Sequence, residues 1–196
     1  MTSRKWVHLF LSTLVLGGVS TVLFGFLFRW KQFQGFGATE LLWNAAALLL
    51  TGLLFSVLSQ MGFFAYLTVH RFGLGMFRSA SLWNMVQVLL VLFVLFDFVY
   101  LRSIIGKAET ESVGMNIVIA AFLLVAGLAV AYVKSKETNQ QAFIPALFFM
   151  VVVTIAEWMP ALRTDSIEWL YLMIVPLLLC NAYQILILHR LVQKKS

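Results

Sequence analysis

The chain has 196 residues, 62% of them hydrophobic and only 11% charged, with a formal net charge of +6. Soluble domains carry about 25% charged residues, so this composition excludes an ordinary water-soluble core. Lys and Arg stand at the ends of apolar runs and never in a block interleaved with aromatics, so the basic excess points to membrane orientation and anionic lipid headgroups, not to nucleic acid.

Six apolar runs are predicted to span a bilayer, which takes about 20 residues each. The first covers 6–28. It is longer than the about 7 to 15 residues of a secretory leader, and no A-x-A-like cleavage site follows, so a retained helix is expected. Thr13, Gly17, Thr21 and Gly25 recur every fourth residue, a small-residue stripe that lets a neighbouring backbone approach. The second run, 41–69, exceeds a single span, so tilt, a bend or an interfacial turn is expected, with Ser59, Gln60 and Gly62 marking the place for a bend. Gly73 and Gly75 then predict a turn over 70–80, kept apolar by Phe72, Leu74, Met76 and Phe77 despite Arg71 and Arg78. Such a segment suits the headgroup layer or a docking surface for another protein.

The third run, 81–101, carries Asn84 and Gln87 three residues apart on one face, then Asp97 near its far end. The fourth, 114–133, has one polar side chain, Asn116, with Ala120, Gly127 and Ala131 as packing positions. The fifth, 142–162, holds Pro145 near its start, Pro160 near its end and Glu157. The sixth, 169–188, contains Pro176 as an expected kink, the single cysteine Cys180 as a small buried hydrophobe, and Asn181 and Gln184.

The expected fold is therefore all-α: one polytopic six-helix bundle over 1–196, with both termini on one side. Nine Lys and Arg fall on the side of the termini and five on the other, which places both termini in the cytoplasm.

Chemistry is sparse. His8, His70 and His189 form no H-E-x-x-H, no serine sits in G-x-S-x-G, and no glycine-rich loop opens a helix to hold phosphate. No catalytic residue, metal set or cofactor is expected, and the chain reads as a non-enzyme. Asp97 and Glu157, with Arg102 and Arg163 at similar depth, make a candidate outer polar site. It could be a proton or cation site, a signalling contact, or two acids reaching the interface and bonded to arginines. Gln60, Arg71, Arg78, Asn84, Gln87, Asn181 and Gln184 are the candidate partner contacts.

Three stretches carry a resemblance: MTSRKWVHLFLSTLVLGG, QMGFFAYLTVHRFGLGMFRSASLWNMVQ and LFDFVYLR. Together with the length and the six runs, they resemble the KbaA family of KinB-signalling pathway activation proteins from sporulating Bacillus-type bacteria. The resemblance implies an integral protein of the cell membrane needed by the sporulation sensor histidine kinase KinB, which feeds the phosphorelay that initiates sporulation. It implies no catalytic residues. A small-molecule or ion sensor or carrier is the alternative.

Overall fold

The computed structural model describes residues 3–105, 113–162 and 167–192. In chain order the elements are α1 (Ser3–Phe28), the short α2 (Trp30–Phe33), α3 (Ala38–Phe77), α4 (Ala80–Ile105) and α5 (Val113–Glu137). A 3-10 turn (Gln140–Ala142), α6 (Phe143–Phe148), a π segment (Phe149–Val153), α7 (Thr154–Leu162) and α8 (Ile167–Val192) follow. The described residues contain no strand. Six helices are long and apolar enough to cross a membrane. Their outward faces carry large apolar side chains: Leu27, Trp43, Phe93 and Val125 are each more than half exposed. In water that surface would be costly; in hydrocarbon it is the expected exterior.

The chain divides into two compact units. One holds α1, α2, α3 up to Met61, and α8; the other holds the rest of α3 through α7.

In the first unit α1 packs along α8 and also against α3. The small-residue stripe faces inward as expected: Thr13, Gly17, Thr21 and Gly25 are all buried. A methyl group on Gly52 would stand 2.5 Å from the Gly17 carbonyl oxygen and 2.6 Å from Thr21 Oγ1. The two backbones meet where neither glycine has a Cβ to keep them apart.

In the second unit α4 and α5 both pack on α6 and the π segment. Phe63 of α3 meets Phe149 edge-on at 5.6 Å between centroids, and Tyr66 lies against Phe148 and Phe149. Leu123, Phe149 and Val151 are fully buried. The α5 face expected to pack does so: Ala120, Gly127 and Ala131 are buried, with Gly127 against Val151 and Leu147. The fifth run is more broken than its sequence suggests. Pro145 has no N–H to donate, and its carbonyl accepts the Phe149 N–H as the π segment begins.

One local expectation gives way. α3 stays helical through Gly73 and Gly75, to end only at Phe77. The predicted turn over 70–80 shrinks to Arg78 and Ser79. Gly73 is a packing residue: its missing Cβ leaves room for the Trp83 indole.

Candidate functional site

Three polar groupings lie in this apolar fold, and each begins from residues singled out by sequence. The first is the seam between α3 and α8. Gln184 Nε2 donates to Ser59 Oγ at 2.6 Å, and Ser59 Oγ donates to Asn181 Oδ1 at 2.6 Å. Ser56 Oγ donates to the Thr13 carbonyl of α1 at 2.7 Å. Gln60 Nε2 reaches the Phe10 carbonyl and Ser56 Oγ, both at 3.4 Å. Cys180 is buried beside this seam, its sulfur 3.8 Å from the Thr13 carbonyl. Gln60, Asn181 and Gln184 are all buried, so they face the chain's own helices. They bond from helix to helix, and the helices they join are internal.

The second grouping sits where α3 turns into α4. Tyr66 donates its hydroxyl to the Pro145 carbonyl at 2.9 Å. Trp83 Nε1 donates to His70 Nδ1 at 3.0 Å, which makes His70 Nδ1 an acceptor. Gln87 is fully buried, its amide nitrogen 3.4 Å from the same His70 nitrogen. Trp83 stacks on Phe77 as well. Tyr66 and Trp83 are not legible as polar sites in the sequence, because an aromatic within an apolar run carries no polar signal until its O–H or N–H is seen bonded.

Outside that bonded interior the turn is open. Arg71 and Arg78 are exposed, Phe72 is 75% exposed and Met76 72%. Asn84 is half-buried one turn into α4. Arg78 has φ +52°, a left-handed conformation at the helix end where glycine or asparagine is the usual residue. Ser79 then caps α4: its hydroxyl accepts the Leu82 N–H at 3.5 Å and its carbonyl the Trp83 N–H at 3.1 Å.

The third grouping is at the α4–α5 end of the second unit. Glu157 and Arg102 are buried, and the Arg102 guanidinium lies 5.8 Å over the Trp158 ring. Phe98 stacks on the same ring at 5.7 Å. The Glu157 carboxyl rests against Gly62 so closely that a Cβ there would overlap Oε1. Asp97 is half-buried and makes no ion pair among the described residues. Arg163 lies outside the residues whose side chains are described. Asn116, noted by sequence only as a lone polar residue, is fully buried on α5.

Comparison with known proteins bears on these features together. The family described as "KbaA: KinB-signalling pathway activation in sporulation" matches residues 17–191. The chain belongs to the KbaA family. A relative from Bacillus subtilis (strain 168), the "KinB-signaling pathway activation protein", is 42% identical over 198 residues, covering 99% of this chain and 100% of the relative. The stretch matched by the KbaA family takes in Ser59, Asn181 and Gln184, the α3–α4 turn, and Arg102 with Glu157. No solved structure matches this KbaA-family chain.

Proposed function

We propose that this chain is a non-enzymatic, multi-pass protein of the cell membrane, both termini cytoplasmic, that activates a KinB-type sensor histidine kinase by contact. The kinase in turn feeds the phosphorelay that initiates sporulation. Family membership and the relative's name support the pathway. The observation that carries the contact mechanism is the α3–α4 turn. Its interior is fixed by the Trp83–His70 and Tyr66–Pro145 hydrogen bonds, while Arg71, Phe72, Met76 and Arg78 stand outward. A fixed turn bearing two guanidinium groups beside apolar side chains can grip anionic headgroups and an acidic or apolar patch of a neighbouring helix. The kinase needs little help: about 1.4 kcal/mol of preference for its active state shifts the ratio tenfold.

Replacing Arg71 and Arg78 together should lower KinB-dependent sporulation while the protein's level in the membrane stays normal. Unchanged sporulation at normal level removes the turn from the mechanism. The buried amides Gln60, Gln87, Asn181 and Gln184 act in this reading as struts, and Asn84 is the amide left to contact a partner.

A second reading is favoured by the burial of Glu157 and Arg102 in a chain built for lipid. The α4–α5 end would then be a sensor site for a small molecule or ion. Glu157→Gln with full sporulation and no altered ligand response counts against it.

A further inference from the structure

His70 ties α3 to α4 through a single nitrogen. Its Nδ1 accepts the Trp83 indole N–H at 3.0 Å, and the Gln87 amide nitrogen lies 3.4 Å from the same atom. Trp83 and Gln87 are one turn apart on α4 and both are buried. Two donors thus converge on one lone pair, which requires that Nδ1 carry no proton. The two donors differ in what they can do next. An indole nitrogen only donates. A carboxamide can rotate and offer its oxygen, and the Gln87 oxygen is buried without a hydrogen bond.

A proton taken up from water at Nδ1 sets an N–H against the indole N–H. Gln87 can turn its free oxygen to the new donor, whereas Trp83 loses its acceptor inside an apolar unit. What still holds the indole is contact with Gly73 and stacking on Phe77 at 5.5 Å, neither of which replaces the lost hydrogen bond. Only Arg78 and Ser79 separate the two helices, and Arg78 is already in a left-handed conformation. The charged surroundings of His70 offer no competing acceptor. On α3 the Tyr66 ring lies at 5.6 Å, its hydroxyl on the Pro145 carbonyl, and Arg71 follows in sequence. From α4 come Trp83 and Gln87, and beyond Tyr66 comes Phe148 of α6, none of them ionisable. The remaining charges of this end are Arg78 in the turn and Lys134, Lys136 and Glu137 at the end of α5. His70 makes no ion pair among the described residues.

We propose that His70, Trp83 and Gln87 form a proton-operated latch, in which protonation of His70 passes its Nδ1 from Trp83 to the Gln87 oxygen and loosens the turn that presents Arg71 and Arg78. The latch would make the kinase contact proposed above depend on pH at that face; this consequence rests on that reading, and the latch itself does not.

The test uses the full chain purified in detergent, with tryptophan emission and far-ultraviolet circular dichroism followed from pH 8 to pH 5. Emission should show a one-proton transition in this range, where histidine titrates, while helix content stays constant. Trp83→Phe should remove the transition, because the other five tryptophans stand elsewhere. His70→Asn supplies an acceptor that gains no proton and should abolish it too; His70→Gln serves if the asparagine variant fails to fold. Gln87→Leu removes the acceptor of the protonated form and should move the midpoint down by about half a pH unit or more. A flat emission profile overturns the proposal, as does a transition that survives in the His70 variant, that keeps its midpoint in Gln87→Leu, or that accompanies loss of helix. The two proposals fail separately. A transition that behaves as expected, with sporulation unchanged in the Arg71 and Arg78 double variant, leaves the latch and removes the kinase contact. A flat profile with sporulation lowered in that variant does the reverse.

Discussion

Arg78 shows how one residue can carry two roles that a single substitution confuses. Its φ of +52° is unfavourable for a side chain with a Cβ by about 1 to 2 kcal/mol. Arg78→Ala removes the charge and keeps the strain. Arg78→Gly removes both, and should stabilise the folded protein by about 1 kcal/mol in a denaturant titration in detergent. If the guanidinium contacts the kinase, sporulation should fall in the glycine variant even though the protein has become more stable. The seam between α3 and α8 gives a second measurement at this scale. Ser59 accepts from Gln184 and donates to Asn181, so the three side chains form one chain of bonds. A double-mutant cycle between Ser59→Ala and Gln184→Leu should return a coupling of about 0.6 to 1.7 kcal/mol. The sequence announced these polar residues by their mere presence among leucines. It could not say which would meet, because each bond joins residues more than a hundred positions apart.

At the scale of the element, α3 is the instructive case. Its 40 residues amount to about 60 Å of helical rise measured along the chain, twice the hydrocarbon thickness of a bilayer. The sequence suggested that its glycines would end it early. Each glycine does weaken a helix by about 1 kcal/mol, but that is a small term beside the burial of an aromatic cluster. Gly73 and Gly75 separate under substitution. Gly73 abuts the Trp83 indole, so Gly73→Val should displace the ring and cost about 1 to 3 kcal/mol. A methyl group on Gly75 would meet no atom within 4 Å, and its φ is an ordinary helical one, so Gly75→Ala should be neutral or stabilising by up to about 1 kcal/mol. Thermal unfolding of the two variants side by side checks both signs. The π segment has the opposite character. Nothing in FMVVV advertises an extra residue in the turn, and only the packing of Phe149 and Val151 against α3 and α5 shows it.

At the scale of the whole molecule, the six long apolar helices and the distribution of Lys and Arg make one claim together. Reporter fusions at either terminus should be active only with cytoplasmic reporters, and the protein should leave the membrane with detergent but stay with it in high salt. A terminus found outside the cell would reverse the placement of the Arg71–Arg78 turn and end the proposed kinase contact. Helix α3 contributes to both compact units, its first part to one and its last part to the other. Each unit carries its own buried polar bonds, so substitutions in the Ser59 seam and at His70 should be close to additive in their effect on stability.

Composition, run length and the periodic small residues were enough to determine an all-helical chain with six candidate spans and to carry its family likeness, because burial in lipid acts on every residue of a run and leaves its mark locally. Which amides are struts, where α3 stops, and that Asn116 is buried without a hydrogen bond were decided only by tertiary structure. Those outcomes depend on contacts between distant segments, and a contact of that kind has no signature in either segment alone.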